Sequence, residues 1–152
     1  MKELSLPSYS YRISGTEGDE KIFDPVRRRF VKLTPEEWVR QHFLNYLISY
    51  GGYPAGLIGV EVQFRLNSLS KRVDILIHDR SGKPVMIVEC KEPGVKLDEK
   101  VFDQIMVYNL RFRVPYLIVT NGMQNFAYRM DFTDNSRHSL EIIPQYDELT
   151  AL

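Results

Sequence analysis

The chain has 152 residues, and its 20 lysines and arginines balance 20 aspartates and glutamates, so the formal net charge is zero. A neutral chain is not a general polycation, which excludes nonspecific coating of DNA or of an anionic membrane and leaves nucleic acid only to a local basic patch. The hydrophobic fraction of 43% is that of an ordinary globular protein, and the longest apolar runs, of four residues, are far shorter than the roughly 20 that cross a bilayer.

Length and cysteine content further limit the architecture. We expect one domain over residues 1–152, made of an N-terminal hairpin extension (1–33), a core (34–130) and a C-terminal tail (131–152). The first 11 residues contain no apolar stretch of the signal-peptide type, so a cytoplasmic location is predicted. Cys90 is the single cysteine and has no disulfide partner, and the three histidines lack zinc-ligand spacing. Any metal is therefore expected on carboxylates.

The first 50 residues predict a hairpin followed by a helix. Strand-like segments at 9–14 and 21–23 flank a polar loop. Thr34, followed by a proline and then by Glu37 at the third helical position, forms a capping box that starts a helix. Two glycines after Tyr50 are suited to end it.

Three strands are predicted next. Alternating apolar and polar residues over 60–66 indicate a half-buried strand, followed by a loop at 67–70. Segments 72–78 and 84–92 then flank a turn and predict a hairpin. The second of these carries apolar residues on both faces, which is typical of the centre of a sheet.

The second half of the chain predicts a helix and two strands. Asp98 is a suitable N-cap for a helix with an apolar stripe, and strands follow at 115–120 and 126–130. The stripe consists of Val101, Ile105, Tyr108 and Phe112. From residue 34 the order is helix, three strands, helix, strand, and the remainder is weakly patterned. This is an α/β chain.

Two carboxylates stand out in the predicted hairpin. Asp74 interrupts an apolar strand, and Glu89 lies on the neighbouring strand with Lys91 on the same face. Carboxylates brought together repel unless a cation or a positive side chain lies between them, and hard oxygen ligands favour magnesium or manganese. Lys91 could orient or help activate a water there. The alternatives are an ordinary buried ion pair, or a register that turns Asp74 to the other face.

Each predicted helix adds one polar candidate. A count of 100° per residue turns Glu36 inward with the apolar face of the first helix, whereas Glu37 is explained by the capping box; favourable contact with the helix dipole is an equally good explanation for Glu36. Arg40, one turn on, could neutralise Glu36. On the second helix Gln104 precedes Tyr108 by one turn, which also suits a hydrogen-bonded pair at the edge of the core.

Taken together, these motifs resemble a known family. Asp74, the Glu89-Cys-Lys segment, the Gln104-x-x-x-Tyr108 pair and the element order are similar to the PD-(D/E)XK nuclease superfamily. The resemblance is strongest to the N-terminal nuclease domain of type I restriction enzyme R subunits and covers about residues 22–130. The segments that carry it are Phe23-Asp-Pro25, residues 34–41 and residues 115–122. It implies a restriction-endonuclease-like mixed sheet flanked by an N-terminal β-hairpin.

The resemblance also implies roles for the residues of the predicted hairpin. Asp74 and Glu89 would bind Mg²⁺ or Mn²⁺, with the backbone carbonyl of Cys90 as a further ligand. Lys91 would position the attacking water and stabilise charge at the scissile phosphate. The thiol of Cys90 alternates to the opposite face and is expected in the core. Val73 stands where the superfamily motif has proline.

On the two helices, the resemblance implies that Glu36 assists the metal site and that Gln104 lies near it. The restriction enzymes attach this module to a translocase that the 152 residues do not include. A separate motor or specificity subunit is therefore an expected partner, and a homodimer is compatible with the sequence.

The function expected from these observations is a metal-dependent DNA nuclease, an endonuclease related to restriction or DNA processing. The alternatives are a non-catalytic nucleic-acid-binding or assembly module that keeps the fold, and an interaction protein that uses the tyrosine-rich hairpin. Arg27–Arg29 and Lys71-Arg72 could reach phosphates of DNA, although charged residues are also common on strand edges.

Overall fold

The structure, a computed structural model, describes residues 1–150, which form two β-sheets and three α-helices. In chain order the elements are β1 (Ile13–Ser14), β2 (Lys21–Asp24), β3 (Arg29–Lys32), α1 (Pro35–Ser49), a 3₁₀ turn (Ala55–Leu57), β4 (Ile58–Leu66), β5 (Leu69–His78), β6 (Pro84–Cys90), α2 (Glu99–Phe112), β7 (Tyr116–Thr120), β8 (Asn125–Asp131), β9 (Ser136–Leu140) and α3 (Tyr146–Thr150). None of the helices in the described part is long and apolar enough to span a membrane.

The N-terminal sheet has three antiparallel strands in the order β1-β2-β3: the predicted hairpin is present as β1 and β2, and β3 adds a third strand that was not predicted. The missed strand, β3, is rich in arginine and lysine and lacks a period-two pattern. The predicted first strand is shorter than expected because Tyr9 and Tyr11 pack their rings against α1. The ring centres of Tyr11 and Trp38 are 4.9 Å apart, and those of Tyr9 and His42 are 5.0 Å apart. These tyrosines contribute to packing and not to strand pairing.

The six strands of the large sheet lie in the order β4-β5-β6-β7-β8-β9. All neighbours are antiparallel except β6 and β7, which are parallel and are connected by α2. A two-residue turn at Asn67 and Ser68, with φ of 51° and 69°, joins β4 to β5, so the loop predicted at 67–70 is shorter than expected. Primed turns of this kind match the twist of a hairpin.

The two long helices cover opposite faces of the large sheet. Apolar side chains of α1, among them Phe43, pack with Ile75 and Val88 of the sheet. Those of α2, among them Ile105, pack with Ile87. Because β6 contributes to both clusters, it is buried on both faces, as the sequence predicted.

The C-terminal segment is more ordered than its weak pattern suggested. β9 extends the large sheet by pairing with β8. In α3, Tyr146 is 1% exposed and its hydroxyl donates to the carbonyl oxygen of His78 at 2.9 Å. This helix therefore packs at the C-terminal end of β5, beyond Asp74.

Candidate active site

The register of β5 and β6 brings two carboxylates together. Ile75 pairs with Val88, so Asp74 and Glu89 are the next residues along the two strands, and their side chains interact. The backbone N–H of Cys90 donates to Oδ2 of Asp74 at 2.8 Å. Asp74 therefore faces Glu89, and the alternative register that turns it away does not occur.

Glu89 is a buried acid with an unused oxygen. Its side chain is 6% exposed, and within residues 1–150 its Oε2 atom has no hydrogen-bond partner. Burial, and then the charge of Asp74, raise the pKa of Glu89 to about 9, although the nearby Lys91 acts in the opposite direction. A cation at this position would favour the ionised form of Glu89.

Lys91 and Gln104 meet beside these acids. The Nζ atom of Lys91 lies 3.3 Å from Oε1 of Glu89 and donates to Oε1 of Gln104 at 3.0 Å. Gln104 in turn donates from Nε2 to the Tyr108 hydroxyl at 2.8 Å. The glutamine thus uses one end of its amide to orient Lys91 and the other to hold its own position on α2.

Arg40 is the most connected residue of the site, and the sequence analysis assigned it only a neutralising contact with Glu36. Its side chain is 2% exposed, and its Nη2 atom donates to Oδ1 of Asp74 at 2.7 Å and to Oε2 of Glu36 at 3.0 Å. Nη1 donates to Oε1 of Glu37 at 2.6 Å. Burial would lower the pKa of Arg40, but Asp74 and Glu37 outweigh it and raise the pKa.

The two glutamates at the start of α1 lie in the reverse of their predicted environments. Glu37 is the buried one, with a side chain 7% exposed, whereas that of Glu36 is 43% exposed. Thr34 caps the helix as predicted, accepting from the N–H of Glu37 at 3.0 Å. The carboxylate of Glu37, however, accepts from Arg27, Arg40 and Gln41 and does not complete the capping box. The helical count failed because α1 is buried on several sides, so that a single apolar stripe does not define its inner face.

Glu36 still faces the site from its open edge. Burial, and then the nearby Asp74, raise the pKa of Glu36, and Arg40 acts in the opposite direction. All five side chains predicted for the site therefore form one contact chain, which runs from Glu36 through Arg40, the two carboxylates and Lys91 to Gln104.

A third strand carries an acid that the sequence analysis missed. Glu61 on β4 lies between Val60 and Val62, whose partners on β5 flank Asp74. Its Oε1 atom lies 3.3 Å from Nη2 of Arg40. Glu61 adopts a φ of 50°, the left-handed region, which costs a non-glycine residue of the order of 1 kcal/mol or more and is concentrated at functional sites. The alternation of apolar and polar residues that predicted this strand gives no indication of such a backbone conformation at Glu61.

A second layer of charges lies behind Glu37. Arg27 donates to Oε2 of Glu37 at 2.9 Å and to Oδ2 of Asp24 at 2.5 Å. Asp24 is 0% exposed; its burial alone would raise its pKa, but hydrogen bonds from Arg27 and Gln41 outweigh this and lower the pKa. Of the three arginines at 27–29, Arg27 fits neither a phosphate contact nor a solvated strand edge because it is paired and largely buried, whereas Arg28 and Arg29 are exposed. Arg72 is 58% exposed, and its Nη1 atom donates to Oε2 of Glu61 at 3.1 Å.

The donor set fits a magnesium or manganese ion. Within residues 1–150 no group of three or more histidine, cysteine, aspartate or glutamate side chains is arranged to hold a metal. Magnesium needs only one or two carboxylates because it keeps several waters, so Asp74 and Glu89 suffice. The unpartnered Oε2 of Glu89 is the observation that supports the fit. The Cys90 thiol is buried in the core as predicted, and burial raises its pKa.

Comparison with known proteins gives the family. A model of the type I restriction enzyme R protein N terminus matches residues 35–144, more than half of the 152 residues. The chain belongs to this family. The region it shares with other R protein N termini contains the whole contact chain from Glu36 to Gln104, whereas Asp24 and Arg27 lie before it.

One solved structure supports the fold of this R protein N-terminal family member. It is the fragment structure of a protein described as an HsdR subunit of a type I restriction enzyme from Vibrio vulnificus YJ016, with 20% sequence identity and a TM-score of 0.58. The match covers 78% of this chain and 25% of that chain, so this chain spans about a quarter of the length of the solved protein. At this identity the similarity shows the fold alone. Among curated proteins, none matched the sequence.

Proposed function

We propose that this domain is a metal-dependent DNA nuclease of the PD-(D/E)XK type, with a restriction-endonuclease-like core, that hydrolyses phosphodiester bonds. The observation that carries the proposal is the meeting of Asp74, Glu89 and Lys91 at one point, with Oε2 of Glu89 unpartnered. A buried acid with a spare oxygen beside a second acid is costly for a purely structural site, and it is suited to a divalent cation.

The residues that would hold Mg²⁺ or Mn²⁺ are Asp74 and Glu89, with the backbone carbonyl of Cys90 as a further ligand. When bound, the cation would offset charge at the scissile phosphate and lower the pKa of a water molecule. Lys91 would orient the attacking water and stabilise negative charge that develops on the phosphate. Gln104 keeps the lysine ammonium directed at this point.

The remaining polar residues suit a nucleic-acid substrate. Glu36 lies half-buried at the open edge, where it can assist a cation or a water. Lys71 and Arg72 precede Asp74 on β5, separated from it by Val73, so their charges lie near the site and can contact phosphates. Membership of the R protein family supports DNA as the substrate and a separate motor or specificity subunit as a partner.

One observation favours a non-catalytic binding module instead. Both oxygens of Asp74 already accept hydrogen bonds, from Arg40 and from the N–H of Cys90. A carboxylate used in this way can serve structure alone, and the domain would then bind nucleic acid without cleaving it.

Cleavage of supercoiled and branched DNA separates the two functions. The nuclease proposal expects nicking with magnesium or manganese, none in EDTA, and its loss in Asp74→Asn and Glu89→Gln. DNA binding by the wild-type protein without cleavage under any of these conditions would support the binding module.

A further inference from the structure

A chain of buried ion pairs connects the N-terminal sheet to Asp74. Asp24 on β2 binds Arg27, Arg27 binds Glu37 on α1, Glu37 binds Arg40, and Arg40 binds Asp74. The donor–acceptor distances along this chain are 2.5, 2.9, 2.6 and 2.7 Å. Every link is therefore a direct charge-assisted hydrogen bond.

The ion-pair chain is buried and closely constrained. Asp24, Glu37 and Arg40 are 0%, 5% and 2% exposed. The side-chain amide of Gln41 donates to both Asp24 and Glu37, at 2.9 and 3.0 Å, and so ties two acids of the chain together. Replacing such a network by apolar residues is often neutral or stabilising, which means that stability alone does not account for it.

The effect of the ion-pair chain on the site follows from its last link, between Arg40 and Asp74. Arg40 fixes Oδ1 of Asp74, while the N–H of Cys90 fixes Oδ2, so both oxygens have set positions. Arg40 is in turn held through its other terminal nitrogen by Glu37. Movement of Asp24 or Arg27 would therefore be passed to Asp74 through rigid, hydrogen-bonded side chains.

We propose that Arg40 is a positioning residue for Asp74, and that Asp24 and Arg27 extend this support into the N-terminal sheet. β2 and the turn that follows it, which precede the family-matched region, thus become part of the support of the active site. This inference rests on the proposed function, because the carboxylate it positions is the one assigned to the cation.

The test uses the full chain and measures Mn²⁺ binding by isothermal titration calorimetry. Asp24→Asn and Arg27→Gln alter the end of the ion-pair chain that lies furthest from the site, and they leave Asp74, Glu89 and Lys91 intact. Both are expected to weaken Mn²⁺ binding by roughly 2- to 30-fold, the range of coupling through such networks. At saturating Mn²⁺ their cleavage rate should return to within about twofold of wild type, because Mn²⁺ binding restores the position of Asp74.

Phe30→Ala is the matched control for loss of stability. Phe30 lies in the same small sheet and contacts Phe23, with ring centres 5.3 Å apart, but belongs to no link of the ion-pair chain. It should lower the melting temperature without weakening Mn²⁺ binding. Arg40→Lys keeps the charge but loses the bridging geometry of a guanidinium, and should weaken Mn²⁺ binding on the order of 10- to 100-fold.

Two outcomes would overturn the positioning role while leaving the proposed function in place. One is wild-type affinity for Mn²⁺ in both Asp24→Asn and Arg27→Gln. The other is an equal loss of affinity in Phe30→Ala, which would assign the effect to the sheet's stability. Failure of the wild-type protein itself to bind Mn²⁺ would overturn the proposed function, and this inference with it.

Discussion

The Nη2 atom of Arg40 lies 2.7 Å from Oδ1 of Asp74, which joins the first helix to the second strand of the central sheet at the candidate active site. The bond gives Asp74 a full positive partner, whereas Glu89, one strand away, keeps a buried oxygen without any partner in the described residues. The two acids are therefore unequal before any cation binds.

Divalent cations should stabilise the folded protein, and Asp74→Asn should remove most of that effect. Binding to the native state alone adds about 2.7 kcal/mol at a hundredfold excess over Kd. For a chain of this size that corresponds to a rise in melting temperature of roughly 5 to 10 °C. Thermal melting with and without magnesium measures it. Asp103→Asn, an exposed acid on α2, is the control and should keep the full shift.

Glu36→Gln and Glu37→Gln should separate activity from stability. Glu37 is buried between Arg27 and Arg40, so its neutralisation leaves both guanidinium groups short of a partner and should cost about 3 kcal/mol of unfolding free energy. Glu36 is only half-buried at the edge of the site, and its neutralisation should reduce metal-dependent cleavage with little change in stability.

Chemical denaturation and a cleavage assay of both glutamate variants provide the measurement. A stable Glu37→Gln protein beside an unstable Glu36→Gln protein would contradict the assignment.

Lys91→Ala should fold, bind the cation and lose cleavage by a large factor. The loss is expected because the ammonium acts on the attacking water and on charge at the phosphate. Stability should change little, since burial favours the neutral form of Glu89 and leaves no strong charge to be stranded. Lys96→Ala, an exposed lysine of the following loop, is the control. Wild-type cleavage by Lys91→Ala would remove the lysine from the mechanism.

Without metal, the free energy of unfolding should fall as the pH rises, because the folded protein holds a proton on Glu89. Its pKa moves from 4.5 to about 9 on folding, because burial and Asp74 disfavour the charged form. Between these values the folded state holds more protons than the unfolded state, so this group's contribution is complete below pH 4.5 and is lost as the pH approaches 9. Denaturation in EDTA across this range measures it. Glu89→Gln cannot titrate at this position, so its free energy of unfolding should depend less on pH. Identical slopes of unfolding free energy against pH in the variant and the wild type would contradict the prediction.

Local patterns were sufficient for much of the fold and for the centre of the site. The cap at Thr34 and the period-two strands depend on neighbouring residues only, so they could be predicted from sequence. The approach of Asp74 to Glu89 also follows from a short hairpin, whose turn determines which residues lie opposite each other. Lys91 follows the same alternation one residue beyond the end of β6, where its backbone N–H still donates to the carbonyl oxygen of Thr120.

Which charges are buried together depends on contacts between elements that are distant in the sequence. Arg40 and Asp74 are 34 positions apart, and Asp24 and Gln41 are 17 apart, so no local period relates them. A helical count places apolar residues inside, but it cannot predict that Glu37 is buried by two arginines, one of them from the turn between β2 and β3. Burial of an ion is favourable only when its partners arrive from other elements, and that depends on packing of the whole chain.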